Sequence, residues 1–109
     1  MKYFCDLENR EIKEALPGID LRTFWGEKML VSVVDLQPGA EMPNHSHPHE
    51  QAGTIISGQL TFTIDGETRL LKSGDAYIIP GGVFHGAIAG DEPVKVIDVF
   101  SPVREDYQY

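Results

Sequence analysis

Short runs in which apolar and polar residues alternate fill most of the chain after residue 20. The clearest run is 60–64, where three apolar residues alternate with two threonines and Asp65-Gly66 follows. A period of two places the apolar side chains on one face of a strand, and Asp-Gly tolerates the positive φ of a hairpin turn. The same pattern predicts seven further strands, at 21–25, 29–36, 54–57, 68–71, 76–79, 83–89 and 94–100.

Turns rich in glycine and proline separate these runs, as at Gln37-Pro38-Gly39 and Pro80-Gly81-Gly82. Many short strands separated by such turns predict an all-β sandwich or barrel, and no helical pattern of ten residues follows residue 20. We expect the barrel to occupy 21–101 and a tail to occupy 102–109. Residues 1–20 are predicted to form an N-terminal extension, either a helical turn that ends at Pro17 and Gly18 or an edge strand.

The composition narrows the class of protein. A chain of 109 residues corresponds to one domain. Its nine Lys and Arg against 17 Asp and Glu give a net charge of −8, which argues against binding to nucleic acid or to an anionic membrane surface. The single cysteine, Cys5, excludes an internal disulfide, and no apolar stretch is long enough for a signal peptide or a membrane span. We therefore expect a soluble cytoplasmic protein.

Histidine is distributed unevenly, since three of the four histidines lie between residues 44 and 50. If this segment is one extended strand, His45, His47, His49 and Gln51 point to the same face. Pro48 can distort the strand, and the direction of His49 and Gln51, which follow it, depends on that distortion. Two imidazoles two residues apart can reach one metal ion. The fourth histidine, His85, follows a predicted turn, and an antiparallel barrel could bring it to the same ion.

The chain resembles the cupin superfamily at two motifs. The first, G-x5-H-x-H-x3-E-x6-G, is filled by Gly39, His45, His47, Gln51 in the acidic slot and Gly58. The second, G-x5-P-x-G-x2-H-x3-N, is filled by Gly74, Pro80, Gly82, His85 and Ala89 in the asparagine slot. This resemblance implies a double-stranded β-helix, or jelly-roll barrel, that binds one divalent transition metal through His45, His47, Gln51 and His85. Three imidazoles and an amide oxygen suit Zn, Ni, Mn, Fe or Co.

One carboxylate interrupts the apolar face of the last predicted strand, because Asp98 shares that face with Val94, Val96 and Phe100. Asp98 is either an exposed edge-strand residue or a buried carboxylate that needs a partner, such as a histidine N–H, a metal-bound water or Arg104. A buried carboxylate beside a metal would suit general acid–base catalysis.

The run from Asp98 to Asp106, together with HSHPHEQ at 45–51, resembles the cupins related to the pectin-degradation protein KdgF, which open the ring of unsaturated uronates. This resemblance implies that Asp98, Phe100 and Arg104 are the catalytic residues. Asp98 would move a proton, Phe100 would form an apolar wall, and Arg104 would bind the carboxylate of a small-molecule substrate.

Three functions remain open from the sequence. The first is a metal-dependent enzyme, of the isomerase or hydratase type, that acts on a uronate or another small carboxylate. The second is a metal-dependent dioxygenase, and the third is a non-catalytic cupin that binds a small ligand or a metal. Family resemblance and the open sheet edges of a small barrel predict a homodimer.

Overall fold

The computed structural model describes residues 3–109, which form ten β-strands and one short 3-10 turn. The strands are β1 Lys13–Leu16, β2 Ile19–Trp25, β3 Leu30–Leu36, β4 Glu41–His45, β5 Glu50–Ser57, β6 Leu60–Ile64, β7 Glu67–Leu71, β8 Ala76–Ile79, β9 His85–Ala89 and β10 Val94–Ser101. The 3-10 turn is Glu105–Tyr107. None of the described residues belongs to a helix long and apolar enough to cross a membrane.

The strands form two antiparallel sheets, a six-stranded sheet in the order β1-β2-β3-β10-β5-β8 and a four-stranded sheet in the order β4-β9-β6-β7. This arrangement confirms the predicted all-β jelly-roll barrel. Apolar side chains from both sheets form the core; they include Ile19, Leu21, Val34, Ile55, Leu60, Phe62, Ala87 and Val96. Burial of apolar surface between the two sheets is the main force that holds them together.

Alternation predicted several strands well. The predicted strands 60–64 and 76–79 coincide with β6 and β8, and β10 alternates between buried and half-buried residues from Val94 to Phe100. The prediction 54–57 was too short, because β5 begins at Glu50 and pairs with β10 along its whole length. Strand β4 was missed, since its sequence EMPNH contains a proline and little apolar alternation.

The N-terminal segment contributes an edge strand to the six-stranded sheet. β1 pairs with β2 across the turn at Pro17 and Gly18, and Gly18 adopts a positive φ of 78° there. Between residues 3 and 16 the structure contains no α-helix. Of the two predicted alternatives, the edge strand is therefore the one that the structure contains.

Strand register arranges the residues around Asp98 and Gln51 in two layers of the barrel interior. Asp98 on β10 lies opposite Gly53 on β5, and Gly53 lies opposite Tyr77 on β8. One layer nearer the end of the sheet, Phe100 lies opposite Gln51. Residues two apart on a strand share a face, so all of these positions point towards the four-stranded sheet.

Candidate metal centre and acid–base site

Three histidines converge at one end of the barrel. His45 ends β4 and is the register partner of His85, the first residue of β9, while His47 lies in the connection from β4 to β5. One ring nitrogen from each of the three lies within 4.8 Å of the others, and the rings of His45 and His85 are 4.4 Å apart between centroids. These distances allow three imidazoles to surround a single ion.

Residues 45–51 do not form one extended strand, so the condition for a shared face of all four side chains is not met. The chain leaves the four-stranded sheet after His45 and enters the six-stranded sheet at Glu50, so Gln51 approaches the histidines from the opposite sheet. The connection around Pro48 crosses between the sheets. His49 is not a member of this cluster, because the ring nitrogens that lie within 4.8 Å of one another belong to His45, His47 and His85. The carbonyl oxygen of His49 accepts a hydrogen bond from His47 Nδ1.

Backbone carbonyl oxygens fix the tautomer of each histidine. The Nδ1 atoms of His45, His47 and His85 lie 2.8, 3.1 and 2.9 Å from the carbonyl oxygens of Pro43, His49 and Val83. A carbonyl oxygen can only accept, so each Nδ1 carries the proton and each neutral ring has a bare Nε2. This is how proteins orient imidazoles that bind a metal through Nε2.

Gln51 adds an oxygen to the same cluster. Its side chain is 5% exposed, and its Oε1 lies 3.0 Å from His47 Nε2. The Gln51 amide also hydrogen bonds to Asp98, which directs its NH2 group to that carboxyl and its oxygen towards the histidines. Two lone pairs therefore face each other between His47 Nε2 and Gln51 Oε1, and a cation between the donor atoms would satisfy both. The donor set fits a divalent transition metal.

Burial keeps His47 and His85 neutral. Desolvation, reinforced by the positive charge of Arg104, lowers the pKa of His47 to about 4. Desolvation also lowers the pKa of His85 below its usual range. Both imidazoles are therefore neutral at neutral pH, the state in which an imidazole binds a metal.

Asp98 lies in the interior and not at an edge, because β10 is a central strand and the side chain is 8% exposed. Its hydrogen-bond donors are the hydroxyl of Tyr77, 2.5 Å from Oδ1, and the Gln51 amide, neither of which is a partner that the sequence suggested. Burial raises the pKa of Asp98 to about 6, although the bonds from Tyr77 and Gln51 and the charge of Arg104 oppose the rise. Such a carboxyl can both accept and release a proton near neutral pH.

Sequence analysis missed Tyr77 and Gly53 as members of this site. A Cβ atom on Gly53 would lie 2.3 Å from both Asp98 Oδ1 and the Tyr77 hydroxyl oxygen, so only glycine leaves room for their hydrogen bond. The period-two pattern of β8 did place Tyr77 on the same face as Ile79. It did not show that β8 lies next to β5, the strand that brings Tyr77 to Asp98.

Arg104 and Phe100 flank the same cavity. The Arg104 guanidinium carbon lies 3.8 Å from the ring centroid of Tyr107 and 5.1 Å from that of Phe100, and Nε donates to Asp106 at 3.0 Å. No described residue forms a hydrogen bond with the terminal nitrogens Nη1 and Nη2. The fork that binds a carboxylate is therefore available.

These side chains share one small cavity. His45, His85, Gln51, Asp98, Phe100 and Arg104 all contribute to its wall. Its inner space is about 60 Å³, which holds an ion and a few waters but not a whole sugar ring. A larger ligand would therefore present one end to the histidine cluster and leave the remainder at the mouth beside Arg104.

Comparison with known proteins agrees with this architecture. Residues 32–100 match the family model of the cupin domain. The pectin degradation protein KdgF of Dickeya dadantii is 33% identical over 108 residues, which span 97% of each chain. The structure of KdgF from Halomonas sp. is 30% identical, with a TM-score of 0.92 over 99% of this chain and 100% of that one.

An RmlC-like cupin from Shewanella frigidimarina has the same TM-score of 0.92 at 28% identity, over 99% of this chain and 97% of that one. The matched family model covers eight of the ten strands, from β3 to β10, in part or in full, and both cupin motifs lie within it. With the barrel, the motifs and a relative that matches it end to end, this chain is a small single-domain member of the cupin family, similar to the KdgF group.

Proposed function

We propose that this cupin is a metal-dependent enzyme that opens and isomerises the ring of a small unsaturated uronate. The observation that carries the proposal is that Asp98 and Arg104, a proton-transfer group and a free carboxylate-binding group, share a cavity with the histidine cluster. The similarity to KdgF, a protein of pectin degradation, supports a uronate as the substrate class.

Arg104 would bind the substrate and Phe100 would orient it. The free edge of the guanidinium can form two parallel hydrogen bonds to the uronate carboxylate, a geometry that lysine cannot reproduce. The ring of Phe100 is buried between His47 and Tyr107, at 5.5 Å from each, and offers an apolar wall to one sugar face. This arrangement would hold the carboxylate at the mouth and direct the rest of the ring towards Asp98.

Three histidines and one amide would hold a metal ion that serves as the electrophile. A divalent transition metal on His45, His47, His85 and Gln51 would act as a Lewis acid on a sugar oxygen. This donor set suits Zn, Ni, Mn, Fe and Co alike, so the metal is to be identified by measurement.

Asp98 would move the proton. As carboxylate it takes the proton of the anomeric hydroxyl while the bond between C1 and the ring oxygen breaks, which leaves an aldehyde at C1 and an enolate at C5. Transfer of that same proton to C4 converts the enolate to a ketone and restores the carboxylate, so the reaction is an isomerisation with no other reactant. A pKa of about 6 suits a group that must accept and then donate.

The test follows the double bond, because its conjugated ultraviolet absorbance disappears when the ketone forms. We expect turnover of unsaturated galacturonate by protein loaded with one of the five metals, and a loss of at least about 100-fold in kcat for Asp98→Asn. Asp91→Asn, on the exposed turn before β10, is the matched control and should retain full activity.

Absence of turnover with every metal would refute the proposal. Oxygen consumption by the iron-loaded protein in the presence of a diketone or flavonol would instead identify a dioxygenase. Tight binding of a uronate that is never converted would identify a non-catalytic binding protein.

A further inference from the structure

We propose that Arg10 is a positioning residue that holds Arg104 over the cavity by anchoring the C-terminal strap, defined here as residues 104–109. The inference rests on the proposed function only for the identity of the group that Arg104 binds. The contact between the two ends of the chain stands on its own geometry.

The strap is attached to the opposite end of the chain by hydrogen bonds. Arg10 Nη2 donates to the carbonyl oxygen of Tyr109 at 2.6 Å, and Lys13 Nζ donates to that of Asp106 at 2.8 Å. Thr23 on β2 donates through Oγ1 to the carbonyl oxygen of Tyr107 at 2.6 Å. The Tyr109 hydroxyl donates back to the carbonyl oxygens of Glu11 and Leu21.

Arg10 occupies the centre of this attachment. Its guanidinium carbon lies 3.8 Å from the ring centroid of Tyr109, a cation–π contact, while its Nε donates to the carbonyl oxygen of Thr23 at 2.9 Å. One side chain thus joins strand β2 to the last residue of the strap. Its planar, multi-donor head makes three contacts in fixed directions.

Arg104 itself has few other constraints. Its Nε bonds to Asp106 and its guanidinium packs on Tyr107, and both partners belong to the strap. Outside the strap, its head packs on the ring of Phe100, a contact that does not fix the direction of the guanidinium edge as a hydrogen bond would. The direction of the free guanidinium edge therefore depends on where the strap lies, and the strap lies where Arg10, Lys13 and Thr23 hold it.

The test compares Arg10→Ala with Arg10→Lys, which retains the positive charge and one donor. Arg69→Ala is the matched control, because Arg69 is exposed on the far hairpin and its one ion-pair partner within residues 3–109 is Glu67. We expect Arg10→Ala to raise KM for the unsaturated uronate about tenfold, the scale expected when a loop and a rotamer-rich side chain must be ordered on binding. We expect kcat and metal content within twofold of the parent, because Arg104 would bind the carboxylate equally in ground and transition states.

Two further readouts separate positioning from general damage. The methyl ester of the same sugar lacks the charge that Arg104 binds, so its KM should not change in Arg10→Ala. Hydrogen–deuterium exchange of the peptide 102–109 should accelerate, while that of β10 should not. Arg10→Lys should recover most of the KM effect.

The proposal is overturned if exchange at 102–109 is unchanged in Arg10→Ala, or if KM rises equally for acid and ester. Should Arg10→Ala fail to fold, Tyr109→Phe removes the two hydroxyl bonds and keeps the ring, and it should shift exchange and KM in the same direction by less. If the parent protein turns over no uronate, the proposed function fails, but the exchange result still decides whether Arg10 anchors the strap.

Discussion

Replacing Gly53 by alanine should separate the carboxyl of Asp98 from its hydrogen-bond donor. The added Cβ would lie 2.3 Å from Asp98 Oδ1, 2.3 Å from the Tyr77 hydroxyl oxygen and 2.4 Å from the ring carbon that carries it. Real Cβ contacts are essentially never shorter than 3.0 Å, so at least 0.7 Å of movement is needed (3.0 minus 2.3). The Tyr77 side chain is rigid beyond its two torsions, so the 2.5 Å bond between Tyr77 and Asp98 must stretch or break.

Two costs and one gain set the magnitude of this change. Overpacking of a filled interior costs about 1–3 kcal/mol, and loss of a hydrogen bond to a charged group costs about 1.5–3 kcal/mol. Alanine reduces the entropy of the unfolded chain, which stabilises the folded state by about 0.4–1 kcal/mol. We expect the free energy of unfolding to fall by about 2–5 kcal/mol, which for a chain of this size lowers Tm by about 8–20 °C.

Gly26→Ala provides the matched control, since a Cβ at Gly26 would meet nothing within 4 Å and its φ is not left-handed. Thermal unfolding followed by circular dichroism should show Gly26→Ala unchanged or slightly more stable. In a double-mutant cycle, Gly53→Ala should cost less in a Tyr77→Phe background, because the hydroxyl contact and its bond are already absent. A Gly53→Ala protein that melts within about 2 °C of the parent would refute the crowding argument.

Four further outcomes follow from the same site. Metal affinity should fall as pH drops below about 4, because protons then compete for imidazoles that must be neutral and the pKa of His47 is about 4; an affinity that is the same at pH 3 as at pH 6, measured by competition with a chelator, would contradict imidazole ligation. Tyr77→Phe should lower kcat more than it changes KM, because the hydroxyl orients Asp98 and does not contact the carboxylate site; an unchanged kcat would remove Tyr77 from the mechanism. Gln51→Glu should lower the Tm measured by calorimetry more in the metal-free protein than in the metal-loaded protein. Equal decreases in Tm would contradict the proposed role of Gln51 as a metal ligand. Light scattering should give twice the chain mass, and a monomer would disprove the homodimer expected from the open edges of β7 and β8.

The sequence predicted those features of the site that depend on local patterns of residues. The spacing of His45, His47 and His85 follows a family motif, and the alternation along β10 placed Asp98 on the same face as Phe100, with its burial left open; the structure buries that face. Both inferences needed only residues close together in the chain or a known spacing. The structure brings the three histidines together, as those inferences require.

What the sequence could not supply was strand order. Tyr77 reaches Asp98 because β8 and β10 flank β5, an arrangement of three strands that are not consecutive in the chain. The polar strand β4 carried no alternation to detect. The contact between Arg10 and Tyr109 joins residues that are 99 positions apart in the sequence, and no local pattern in either segment predicts it.

Asp98 also accounts for the departure of this chain from the cupin motif at position 51. An amide at that position presents an oxygen to the histidines and an NH2 group to the Asp98 carboxyl. A glutamate could supply the oxygen, but it would place a second negative charge against a buried carboxyl whose pKa burial has already raised to about 6. Like charges at such a distance force one group to remain protonated. Glutamine would therefore allow the site to contain both the proposed metal ligand at 51 and an ionisable acid at 98, and it would tie the position of the acid to that of a bound metal.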